Sequence, residues 1–279
     1  MAFWNKVARS GVAALALAGT VSAGAAQIVV PQSSLNASGQ YYTDLIGGGI
    51  GNIVVMTGGG NASGIGNATG RNDDGYSGPI NFGYAFSFFG QSYTSFYANN
   101  NGNISFGSGI SAFVPTGPTG ANAPLISAWF GDVDTRGALS GVLRLRQDIA
   151  NQTILTWDNV GYYSSHADKL DSFQMIVRGP GYVVPEGEGV IGFFYKTMGW
   201  EQTDTSVTAA IGFGDGLGNS EVLAGSNVAG LNPIVENHFI WFDQNLVPVP
   251  PPVPEPASAA LLMIGLCGLG VAARRSRRT

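Results

Sequence analysis

The chain has 279 residues, 11% of them charged, with 42 glycines and one cysteine. That length leaves room for one large or two small domains with a sizeable core, and so little charge beside so much glycine argues against a helical bundle and for a turn-rich β protein. The formal net charge is -5, but six of the 13 basic residues (Lys6, Arg9, Arg274, Arg275, Arg277 and Arg278) lie at the ends, leaving seven against 18 acidic side chains; this excludes the clustered Lys and Arg that a nucleic-acid partner needs.

At the start, Lys6 and Arg9 precede an apolar stretch from about Val12 to Val21, which is followed by small residues. This is the layout of a secretory signal peptide over residues 1–26, with cleavage after Ala23, Ala25 or Ala26. The stretch is shorter than the roughly 20 apolar residues of an uncleaved anchor. Residues 27–77 are rich in Gly, Asn and Ser, carry no helical period and are expected to form short strands and loops. Within them Asp73-Asp74-Gly75 reads as a turn, or as one corner of a calcium loop.

From Gly78 the pattern sharpens into strands: Gly83–Gly90, Ser92–Gly107, Gly141–Gln147, Gln152–Tyr163, Ser172–Gly179, Gly189–Trp200, Thr208–Gly216 and Asn237–Gln244. Asn101-Gly102 is the strongest hairpin signal, a dipeptide suited to a two-residue type I′ turn with positive φ at both positions. In SFQMIVRG, Phe173, Met175 and Val177 share one face and Gln174 and Arg178 the other, the period of a half-buried antiparallel strand. The expected fold is an all-β, antiparallel β-sandwich-like domain over residues 78–245. The order of the pieces (the NG-x-ISF hairpin, APLISAWFGDVDTRG, TWDNVGYY, SFQMIVRG, GFFYKTMGW, then IGFGDG with LAGS) resembles a nidogen-type extracellular domain from about Gly78 to Leu231. The resemblance implies an extracellular structural or binding role with no catalytic activity. The cysteine-rich modules that flank many animal members are missing here, so their partners do not carry over.

The densest polar constellation is Asp132-Val133-Asp134-Thr135-Arg136. If the strand continues this far, Asp132 and Asp134 share a face, with Cα atoms about 6.5–7 Å apart. Carboxylates at such a spacing suit an inverting glycosidase, but neighbours on one strand do not flank a bond from both sides. Calcium ligation by Asp132 and Asp134 is chemically easier, and a turn cap with Arg136 as ion-pair partner is easier still. Asp215-Gly216-Leu217-Gly218-Asn219 is a second oxygen-rich loop without EF-hand spacing. Asp158 reads as a strand-end residue, and His166, in the polar loop Tyr162–Asp171, and His238 have no metal-site partners at recognised spacing. Gly-x-Ser-x-Gly and phosphate-loop motifs do not occur.

The chain closes with a Pro-rich tether (residues 246–256), an apolar run of about 17 residues (257–273) and the arginines of residues 274–279. The run is at the lower limit for a membrane-spanning helix, and the arginines would hold its end in the cytoplasm. The PEP motif Pro254-Glu255-Pro256, the apolar segment and the cluster that begins Arg274-Arg275 resemble the PEP-CTERM sorting signal of Gram-negative bacteria. That resemblance implies recognition and processing by an exosortase, transient residence in the inner membrane, and release to the cell surface or outside. The expected protein is therefore an exported surface or extracellular-matrix component of structural or adhesive role, not an enzyme, and without a required cofactor. Its expected partners are the exosortase and, outside, exopolysaccharide or other matrix components. The alternative is a calcium-dependent carbohydrate-binding protein; a polysaccharide hydrolase comes third, resting on carboxylates alone.

Overall fold

Short aromatic-rich runs separated by glycine turns suit strands better than helices, because alternating side chains can bury one face of a pleated sheet. The computed structural model describes residues 26–113, 116–202 and 208–252. The expected signal peptide (apart from Ala26), the PEP motif (Pro254, Glu255, Pro256), the apolar run and Arg274 and Arg275 lie outside the described residues. Among the described residues no helix is long and apolar enough to cross a membrane.

The stretch before Ser77 supplies β1 (Gln27–Val30), β2 (Asn36–Ala37), the short helix α1 (Tyr42–Ile46) and β3 (Asn52–Ile53). The body follows with β4 (Ile80–Phe88), β5 (Gln91–Asn99), β6 (Asn103–Ser105), β7 (Pro124–Phe130) and β8 (Leu143–Arg146). Then come β9 (Gln152–Tyr162), β10 (His166–Arg178), β11 (Ile191–Met198), β12 (Ala210–Asp215), β13 (Ser220–Leu223), the one-turn helix α2 (Asn232–Val235) and β14 (His238–Phe242). They form two seven-stranded sheets, ordered β1-β13-β12-β7-β6-β5-β4 and β2-β14-β11-β10-β9-β8-β3. The expected all-β class is found, with one exception to antiparallel pairing among the described strands: β1 runs parallel to β13. A parallel neighbour needs a long connection, and most of the chain separates these two strands. The N-terminal segment thus supplies edge strands to both sheets.

The sheets face each other across one aromatic core. Phe213 of the first sheet meets Phe193 and Phe242 of the second with ring centroids 5.6 and 4.8 Å apart. Within the second sheet Trp157 stacks on Phe173 at 5.0 Å. Such ring pairs add about 0.5–1.5 kcal/mol each beyond their buried area.

Two strand expectations need correction. β10 is buried on both faces from Asp171 to Arg178, not half-buried. Its outer face is covered by α1: Tyr42 packs on Phe194 and Trp241, and Gln174 binds the Thr43 amide, the Thr43 hydroxyl and the Thr156 hydroxyl. Arg178 is enclosed as well, donating to Gln152 and to the Tyr42 hydroxyl, pairing with Glu188 and lying 4.3 Å from the Trp241 ring centre. The polar stretch Tyr162–Asp171 is not a long loop either. Ser164 and Ser165 both adopt positive φ, and the tight turn they make lets β10 begin at His166, opposite Tyr162.

The hairpin expected at Asn101-Gly102 is present with a different turn. Asn99 pairs with Asn103, so the loop has three residues, and of these only Gly102 has positive φ, at 78°. A Cβ at Gly102 would also collide with the Trp129 carbonyl oxygen, whereas Gly90, with φ 74°, has open space around it. Gly102→Ala is therefore expected to cost about 2–4 kcal/mol, the sum of backbone strain and overpacking. Gly90→Ala should cost about 1 kcal/mol, from strain alone. Urea unfolding midpoints at unchanged m would check both values.

Candidate functional site

At one end of the sandwich the three-residue tip of the β5–β6 hairpin meets two segments of irregular chain, residues 71–77 and 131–136. β7 stops at Phe130, and Val133 and Asp134 make only isolated bridges, to Tyr162 and Asp73. The expected continuous strand through Asp132 and Asp134 is thus absent. The amide N–H of Val133 donates to Asn101 Oδ1, and the Val133 carbonyl accepts from Asn100 Nδ2. Asn101 Nδ2 donates to Asp74 Oδ1 at 2.8 Å. Thr135 and Asn72 exchange three hydrogen bonds between the two irregular segments. Asp74 itself adopts positive φ, 62°, a conformation that Asp tolerates better than most residues.

This framework gives the two carboxylates expected to act together different partners. Asp134 is fully buried and turned toward Arg136, whose Nε donates to it at 2.8 Å, and it also accepts from the Ser165 amide at 2.7 Å. Asp132 is only 2% exposed and gathers with Asp73 and Asp74, one oxygen of each lying within 4.8 Å of the others. Arg136 also pairs with Asp73 Oδ2 at 2.7 Å. Both oxygens of Asp132, and Oδ1 of Asp73, are buried without a hydrogen-bond partner among the described residues. Asp-Asp-Gly in a chain with few charges was the one sequence signal for this grouping; its convergence with Asp132 depends on the hairpin tip.

Burial, and then the fields of Asp74, Asp73 and Asp134, push the Asp132 carboxyl up to about 8. Burial, then Asp134 and Asp74, push Asp73 up to about 7. Burial raises Asp74 as well. A cleft of about 310 Å³ opens onto this group, lined by Asp74, Asp132 and the exposed rings of Phe113 and Tyr163. A larger cleft, about 730 Å³, lies between Gly48–Val55 and Leu145–Asp148. Its charged residues, Arg146 and Asp148, are paired with each other, so its chemistry is already satisfied.

The remaining candidates have structural partners. Asp215 Oδ1 accepts from the Leu217 and Asn219 amides, closing the β12–β13 turn. Asp158 accepts from the Tyr41 hydroxyl. His166 contacts the Tyr163 carbonyl and stacks on Tyr162, and His238 contacts the Glu236 carbonyl.

A family model described as NIDO related matches residues 52–241, which include every residue of this cluster. A second, for the PEP-CTERM protein-sorting motif, matches residues 252–278. No solved structure matches the chain.

The raised carboxyls have a testable consequence. Between the ordinary Asp range and about pH 8 the folded state binds more protons at Asp73 and Asp132 than the unfolded chain, so stability falls as pH rises through that window. In chelator, the melting temperature is expected to fall between about pH 5 and pH 8, and Asp132→Asn should flatten part of that fall. Thermal melts across this pH range would check it.

Proposed function

The chain belongs to the NIDO-related family, and from that premise we propose that it is a structural or adhesive component of the cell surface or extracellular matrix. Its PEP-CTERM motif marks it for exosortase-dependent sorting and export through the inner membrane to the cell surface or the extracellular space. The observation that carries the proposal is this pairing of a sorting address with a disulfide-free β sandwich, closed by burial, from an extracellular domain family.

The proposal includes no catalysis. A glycosidase pair flanks the scissile bond from two sides, whereas Asp73, Asp74 and Asp132 turn one oxygen each toward a common point. One observation favours a second reading, calcium-dependent carbohydrate binding: the rings of Phe113 and Tyr163 line the same cleft as Asp74 and Asp132, and aromatic faces are natural platforms for sugar rings.

The native protein should be recovered with the matrix fraction, its mass lacking the apolar tail, while Glu255→Ala remains full-length in the inner membrane. Cell fractionation with intact mass spectrometry reads both. A processed protein found only free in the medium would overturn the matrix role while leaving sorting intact. Calcium-dependent retention on matrix polysaccharide, lost in Tyr163→Ala, would favour the second reading.

A further inference from the structure

We propose that Asp73, Asp74 and Asp132 form a calcium site that clamps the 71–77 segment to the 131–136 segment beneath the β5–β6 hairpin tip. Oxygens bound to one calcium ion lie about 2.3–2.6 Å from it, so any two are at most about 5 Å apart. One oxygen from each of the three carboxylates meets that condition, all lying within 4.8 Å of one another.

Proximity of acidic groups alone would not identify a site; the state of Asp132 does. Its side chain is buried at 2% exposure and aimed at Asp73 and Asp74, yet among the described residues neither carboxylate oxygen has a hydrogen-bond partner. Buried charge without a partner is strongly unfavourable, and folded proteins resolve it with a counter-charge, a metal or a proton. Asp73 Oδ1 is in the same position. A further buried oxygen without a partner, Oδ1 of Asn100, belongs to the side chain that donates to the Val133 carbonyl beside Asp132.

The local cation does not cover this need. Arg136 reaches Asp134 and Asp73 Oδ2, and leaves Asp73 Oδ1 and both Asp132 oxygens without a partner among the described residues. The three carboxylate donors are hard ligands, which select calcium or magnesium over softer metals. Calcium is favoured because it accepts irregular oxygen shells, whereas magnesium demands a near-ideal octahedron at about 2.0–2.1 Å. The cleft beside Asp74 and Asp132 supplies an entry path and room for water to complete the shell. Asn101 already orients Asp74, so little ordering remains for the ion to impose. The site stands whether or not a glycan binds.

The test uses the mature protein stripped with chelator, then titrated with calcium chloride or magnesium chloride, and read by calorimetry and thermal melting. Calcium should bind at one site and raise Tm by about 5–10 °C at a hundredfold excess over Kd, with a smaller rise in magnesium. Asp132→Asn should lose the rise while its metal-free Tm is unchanged or higher, since Asn has no charge to bury beside Asp73 and Asp74. Asp74→Asn, at a less buried position, is the second variant should Asp132→Asn fail to fold, and should also lose the rise. Asp215→Asn, in the acidic turn elsewhere, should keep it. No calcium-dependent heat or shift in the wild type, or a full shift retained in both Asp132→Asn and Asp74→Asn, would overturn the proposal. Calcium binding without retention on polysaccharide would count against the carbohydrate reading alone.

Discussion

The tip of the β5–β6 hairpin sits beneath the end of β7, so close that Gly102 has no room for a side chain below the Trp129 carbonyl. The Trp129 amide donates to the Gly102 carbonyl, and the Trp157 indole donates to the carbonyl of Asn100, which ties the tip to both sheets. From this anchored turn Asn100 and Asn101 satisfy both backbone polar groups of Val133. The chain can therefore leave β7 without a continuing strand while the backbone of Val133 stays satisfied. Asp132 and Asp134 flank Val133, so the turn sets where their carboxylates point.

The resulting charge distribution is unequal. Arg136 and the Ser165 amide satisfy Asp134, whereas Asp132 has no donor among the described residues. Four carboxylates around one guanidinium form an arrangement that burial and mutual repulsion make unfavourable when all are ionised, which is why Asp73 and Asp132 hold protons far above the usual range. A proton or a divalent cation relieves the same strain, so acidity and metal act on one structural joint.

The other end of the molecule satisfies its buried cation with aromatic faces, hydrogen bonds and one carboxylate. Arg178 is sealed among Tyr42, Tyr182 and Trp241 and paired with Glu188. With no cysteine between the chain's start and Cys267, these enclosed contacts and the aromatic core must hold an exported domain without a disulfide.

Period-two alternation, aromatic content and glycine punctuation were enough to place most of the strands from Ile80 to Phe242, though not β7, β13 or the start of β10, and the order of motifs was enough to suggest the family, because both are local properties of the sequence. The tail was equally legible, since a sorting address is read as a linear segment. Three features were not. The burial of Gln174 and Arg178 depends on α1 and the strands packed against them, which a strand's own period does not reveal. The three-residue turn follows from the use of the Asn101 side chain across the interface, where a dipeptide rule sees only backbone preference. The partnership of Asp132 with Asp73 and Asp74, rather than with Asp134, arises because β7 ends at Phe130 and the hairpin tip redirects the chain. Convergence of groups so far apart along the chain is a property of packing, and only the tertiary structure decides it.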